Sequence, residues 1–255
     1  MYYFTNDYSE GAHPLIMQKL LETNMEQTDV YGSDQYCANA KALIKTACGR
    51  EDADVHLFIG GTQTNFTIIS AALRPFQGVY SSFLGHINTH EAGAIEHTGH
   101  KVLELPTADG KLTAQQVEEN YLIYLNDPKR EHWVQPKMVY ISHPSEVGTL
   151  YTKKELEELS ATCKKYGLYL FLDGARLGYG LMSPGTDLTL KDIARLCDVF
   201  YIGGTKCGAL FGEAAVILNP DLKPDFHTIM KQSGAVLAKG RLLGLQFQTL
   251  FTDNL

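Results

Sequence analysis

The chain has 255 residues, 44% of them hydrophobic and 20% charged, with a formal net charge of −7. This is an ordinary enzyme-like composition with room for a large core and one or two domains. No basic cluster stands out, which argues against a nucleic-acid or anionic-membrane partner. No apolar run is long enough to span a bilayer. Residues 1–14 lack the basic and apolar regions of a signal peptide, so a cytoplasmic location is expected. The five cysteines, Cys37, Cys48, Cys163, Cys197 and Cys207, show no Cys-x-x-Cys spacing. That excludes the usual zinc and disulfide frameworks and agrees with a reducing compartment.

In chain order, a polar, turn-rich opening leads into a short amphipathic helix over residues 15–22. Tyr31-Gly32-Ser33-Asp34 is a turn, and Asp34 caps a helix that stops at Gly49. Residues 55–59 read as a strand. Gly60-Gly61-Thr62-Gln63-Thr64-Asn65 follows, then a helix over 66–73. A strand, glycines, hydroxyls and a helix start form a cup for an anion, since free backbone N–H groups and the positive end of the helix dipole converge there. Taken alone this motif is weak, because ordinary strand-to-helix turns also use Gly and Thr.

Residues 78–82 lead to Gly85-His86-Ile87-Asn88-Thr89-His90-Glu91-Ala92-Gly93. His86, His90 and His97 lie near Glu91 and Glu96, yet His86 and His90 enclose no metalloprotease glutamate, so no metal site is expected. An imidazole lying flat on a ring would use His86 alone. A strand over 102–105 and a helix over 114–120 follow, then a polar surface loop over 121–135. The next strand, 137–142, ends at His143, which arrives at a sheet edge. A helix from Thr152 to Tyr166 opens with the Thr152/Glu155 capping-box pattern.

The runs 168–172 and 199–202 are continuous and apolar, as buried parallel strands are. The first ends in Asp173-Gly174-Ala175-Arg176 and the second in Gly203-Gly204-Thr205-Lys206. Alone, an Asp-Gly pair is usually a turn and a strand-end lysine is usually solvated. Together, in successive units, they deliver an acid and an amine to the rim where open α/β sheets bind ligands. That pair suits pyridoxal 5'-phosphate: the amine forms a Schiff base with the aldehyde, and the carboxylate keeps the pyridine nitrogen protonated. Residues 214–219 read as a strand at the opposite edge. Lys231 and Lys239 are further phosphate candidates. From Arg241 onward, Leu242, Leu245, Phe247, Leu250 and Phe251 form a helical stripe with no obvious packing partner in the chain.

Tyr31-Gly32, Gly60-Gly61-Thr62, His86 with Glu91-Ala92-Gly93, His143, Asp173-Gly174-Ala175-Arg176 and Lys206 occur in an order that resembles the threonine aldolase and β-eliminating lyase branch of the fold-type I pyridoxal-phosphate enzymes. The resemblance covers nearly the whole chain. It implies a three-layer α/β/α fold with a mostly parallel sheet, a cofactor-binding large domain over residues 1–240 (1–28 an N-terminal arm and helix), and residues 241–255 as the start of a helix toward an absent small domain. It implies that Lys206 holds the cofactor, Asp173 pairs with the pyridine nitrogen, Arg176 contacts the ring hydroxyl side, Gly61 and Thr62 hold the phosphate, and His86 stacks on the ring. Thr205 stands where the family usually has Ser, and Cys207 where Gly is common.

The expected reaction is cleavage of L-threonine-like or L-allo-threonine-like β-hydroxy-α-amino acids to glycine and an aldehyde, with His143 as base or, failing that, His86. The alternatives are a β-elimination of the tyrosine phenol-lyase kind, and a truncated cofactor-binding fragment without turnover. A homodimer or homotetramer is implied by the same resemblance.

Overall fold

The computed structural model describes residues 3–252; the expectations for residues 1, 2 and 253–255 lie outside them. The first half of the chain runs α1 (Pro14–Glu22), α2 (Gln35–Cys48), β1 (Asp54–Phe58), α3 (Gly61–Ala72), β2 (Gln77–Ser82), α4 (His86–Thr89), α5 (Ala94–His97), β3 (Lys101–Leu105), α6 (Ala114–Asn126) and β4 (Gln135–Ser142). The second half runs α7 (Lys153–Tyr166), β5 (Tyr169–Asp173), α8 (Leu177–Met182), α9 (Leu190–Leu196), β6 (Val199–Gly203), β7 (Glu213–Ile217), α10 (Phe226–Gln232) and α11 (Arg241–Thr252).

The strands form one seven-stranded sheet in the order β1-β7-β6-β5-β4-β2-β3. All neighbours are parallel except β7, which runs antiparallel to both β1 and β6. Because side chains alternate along a strand, each one feeds two cores. Val139 and Ile141 of β4 join Leu156, Leu159 and Phe247 on one side of the sheet. Met138 and Tyr140 join Ile68, Ile69 and Phe226 on the other. The result is the expected three-layer α/β/α arrangement with a mostly parallel sheet.

Local signals act as anticipated at several helix ends. The Asp34 carboxylate accepts from Cys37 N at 2.9 Å, and Gly49 ends α2 in the left-handed region. Thr152 and Glu155 form the capping box of α7. Three expectations change. Helix α6 continues to Asn126 where a loop was anticipated, because Tyr121 packs its ring 4.9 Å from Tyr166 of α7. Strand β7 lies between β1 and β6, inside the sheet and not at an edge. The apolar stripe of α11 does find a partner: Phe247 and Leu250, with Leu243 from outside the stripe, join the core beside Cys37, Ala40 and Ile44 of α2. Gly244 permits the approach, since a Cβ there would sit 2.4 Å from Cys37 N.

Candidate active site

The carboxyl ends of β1, β4, β5 and β6 and the first residue of β7 open onto one cavity of about 370 Å³. Asp173 closes β5 and is 4% exposed. Its Oδ1 accepts from the Tyr201 hydroxyl at 2.5 Å and from Ala175 N at 3.0 Å. Its Oδ2 accepts from the Tyr140 hydroxyl at 2.5 Å and from Asn65 Nδ2 at 3.1 Å. Four donors on one buried carboxyl fix its orientation. Both phenols are pushed well above the usual tyrosine range, first by burial and then by the Asp173 charge, so they remain donors.

Lys206 sits in the turn joining β6 to β7 and lines the same cavity, with its Nζ 5.7 Å from the centre of the Tyr8 ring. The Gly60-Gly61-Thr62 turn opens onto the same cavity, and its helix starts earlier than the sequence suggests. Helix α3 begins at Gly61, and Gly60, which has no side chain, offers the first turn no cap. The leading N–H groups of α3 therefore have no helical acceptor, and Gly60, Gly61 and Thr62 line the cavity. Neither Lys231 nor Lys239 lines it; Lys231 Nζ lies 4.5 Å over the Tyr31 ring instead.

His86 opens α4 and lines the cavity. Its Nδ1 meets Glu91 Oε1 at 2.7 Å, and that oxygen also accepts from Asn65 Nδ2 at 2.7 Å. The hydrogen bond to buried Glu91 outweighs desolvation and raises the His86 pKa. Its ring stacks on that of His90 at 5.6 Å. Arg176 lines the cavity too, but its guanidinium grips the Asp7 carboxylate in a two-point ion pair through Nε and Nη2. That pair draws the amino-terminal arm, with Tyr8, over the mouth.

His143 is placed elsewhere. Ser142 pairs with Asp173 in the sheet register, so those two side chains share a face and the next residue, His143, turns to the other. It is fully buried and does not line the cavity; its Nδ1 accepts from Tyr151 N at 3.3 Å, and burial lowers its pKa to about 4.

Several residues at the cavity were not anticipated. Glu146, three residues beyond His143, accepts at Oε1 from the Ser142 hydroxyl at 2.6 Å and from His86 N at 2.8 Å. Tyr140, Asn65 and Tyr201 orient Asp173. Glu213 faces in from β7. Its signal was available in the sequence: a lone charge opens the otherwise apolar Glu-Ala-Ala-Val-Ile strand.

Fold and site together define an α/β protein that gathers a buried acid, a lysine amine and an open helix start on the carboxyl edge of one sheet. The chain belongs to the beta-eliminating lyase family, whose model matches residues 7–244. It is 32% identical over 255 residues to the low specificity L-threonine aldolase of Pseudomonas aeruginosa, covering 98% of this chain and 72% of that protein. The structure of a Leishmania major threonine aldolase superposes with a TM-score of 0.96 at 56% identity, covering all of this chain and 73% of that one. Treponema denticola cystalysin, a structure containing pyridoxal 5'-phosphate, shares the fold at a TM-score of 0.72 and 18% identity, over 97% of this chain and 63% of its own.

Proposed function

We propose that the protein is a pyridoxal-phosphate-dependent lyase that cleaves the Cα–Cβ bond of β-hydroxy-α-amino acids such as threonine, giving glycine and an aldehyde. The observation that carries this reading is the convergence of Asp173, Lys206 and the open start of α3 on one cavity. The residues fit the cofactor chemically: an amine for its aldehyde, a carboxyl for its ring nitrogen and a bed of N–H groups for its phosphate. When bound, the cofactor supplies an aldehyde that captures amines and a pyridinium ring that absorbs the electron pair released at Cα.

The chain's own residues do the rest. Lys206 offers its Nζ as nucleophile. Asp173, held by two phenols, Asn65 and the Ala175 N–H, keeps a proton on the ring nitrogen. Gly61 and Thr62 would hold the phosphate, and Arg176, which lines the same cavity, would lie toward the ring hydroxyl side. His86 forms one wall of the ring site. With Nδ1 committed to Glu91, its Nε2 is the atom we assign to taking the proton from the substrate hydroxyl. Glu146 fixes the His86 backbone and adds a second carboxylate to that wall.

Residues 1–240 then form the cofactor-binding domain, and a homodimer or homotetramer in the cytoplasm is the expected setting. Among the described residues no helix is long and apolar enough to cross a membrane.

The test is the visible spectrum of the protein with pyridoxal 5'-phosphate, before and after borohydride, with peptide mapping of the reduced adduct and analysis of the products from threonine. An absorption band that reduction bleaches, an adduct on Lys206, glycine with acetaldehyde, and loss of band and turnover in Lys206→Ala are expected. An adduct on another lysine would reject the site. Pyruvate in place of glycine would move the reaction to β-elimination.

A further inference from the structure

Glu213 has no part in the reaction described above, yet it is placed between the two halves of the cofactor site. Strand β7 runs antiparallel to its neighbours, so its first residue meets their last ones. Glu213 pairs with Phe58 on β1, two residues before the Gly60 cup, and with Gly203 on β6, three residues before Lys206. The residue is 4% exposed and lines the cavity. Oε1 accepts from the Thr205 hydroxyl at 2.9 Å, while Oε2 is buried with no hydrogen-bond partner among the described residues. Thr205 is itself held in place, accepting from Gly212 N at 3.0 Å.

An unpartnered carboxylate oxygen beside an anion cup is a contradiction if the group is charged. A dianion brought within a few ångströms would be repelled in a poorly hydrated site. A protonated carboxyl removes the contradiction, because it offers one O–H donor, and hydrogen bonds to ionised acceptors are the strong kind. The surroundings favour the protonated form. Burial is the largest influence, and the Asp173 charge adds to it; the Thr205 hydrogen bond and the Lys206 charge oppose, leaving a pKa of about 8. Helix α3, which packs over this corner, contains no titratable side chain.

We propose that Glu213 is an anion-binding residue that keeps its carboxyl proton and donates it from Oε2 to the anion in the Gly60-Gly61-Thr62 cup, so that the cup binds a dianion only together with that proton. The proposal rests on the reading of the cup as the phosphate site. Below about pH 8 the proton is already in place; above it, each binding event must draw one proton from solution.

The probe is sulfate, a dianion throughout the range, titrated calorimetrically into the cofactor-free full chain at pH 7 and pH 9. Repeating the titration in buffers of different ionisation enthalpy counts the protons taken up. Between pH 7 and pH 9 the wild type should lose about tenfold in affinity relative to Glu213→Gln, and at pH 9 should take up close to one more proton per sulfate. Lys206→Ala removes the cation that opposes protonation of Glu213, so uptake of that proton should begin at higher pH than in the wild type. If Glu213→Gln does not fold, the proton counts of wild type and Lys206→Ala from pH 7 to pH 10 decide: a count that rises toward one in both, and at higher pH in Lys206→Ala, supports the proposal, and a count of zero throughout in Lys206→Ala overturns it. Sulfate binding with the same pH profile and proton count in wild type and Glu213→Gln would overturn the role of Glu213 while leaving the cup intact. Absence of sulfate binding at pH 7 in both proteins would reject the cup, and the proposal with it.

Discussion

Two histidines at the sheet edge illustrate how far single residues can be read. His143 and His86 look equivalent in the sequence, each closely following the end of a strand, and only register separates them. Ser142 shares a face with Asp173, so His143 is turned away, whereas His86 reaches the cavity from the start of a short helix. Asp173 and Lys206 were legible because each ends an apolar run; Glu146 and the two tyrosines were not, because their roles depend on pairing across strands. His86→Phe is expected to cut turnover of threonine by about 10²-fold or more, the usual range for a lost acid–base group, while retaining the cofactor's absorption band. His143→Phe should leave kcat near wild type and act on stability instead. With its pKa lowered to about 4 from 6.5, His143 stays neutral in the fold and takes up a proton on unfolding. Its contribution is present above pH 6.5 and is lost as pH falls from there toward 4, about 3 kcal/mol in full. Urea midpoints at pH 7 and pH 4.5 should therefore converge less in the wild type than in the variant. A variant with the same acid sensitivity as wild type and a large loss of kcat would return His143 to the reaction.

At the scale of elements, six of the seven strands described were read from the sequence, while β2, Gln-Gly-Val-Tyr-Ser-Ser, is too polar to stand out; the caps of α2 and α7 were visible as Asp34, Gly49, Thr152 and Glu155. The start of α3 was not, because Gly61, Thr62 and Thr64 in its first turn are weak helix formers. Helix α11 was recognised by its stripe but not given a partner, since its contact with α2 depends on a missing side chain. Gly244→Ala would place a methyl group 2.4 Å from Cys37 N and 2.7 Å from its Cα, both backbone atoms that cannot swing aside. The helices would have to separate, at a cost of about 2 to 3 kcal/mol by analogy with overpacked cores. Equilibrium denaturation measures this directly, and an unchanged midpoint would show that α11 is not a structural part of this layer.

For the whole molecule, the three-layer architecture was implied by the family resemblance, and it suits a chain of alternating strands and helices, which must cover both faces of a parallel sheet. The placement of β7 did not, because no local pattern distinguishes an interior antiparallel strand from an edge strand when every residue is buried. That reversed strand also bears on the order in which the site is assembled. Strands β6 and β7 are neighbours in the chain as well as in the sheet, so the hairpin bearing Lys206 closes only a short loop, whereas β1 must reach β7 from the other end of the sequence. Short loops close at lower entropic cost and faster than long ones. Pulse-labelled hydrogen exchange during refolding should accordingly protect amides of β6 and β7 before those of β1, and the opposite order would refute it. The amine and the acid beside it would then be together before the cup that gives them something to hold.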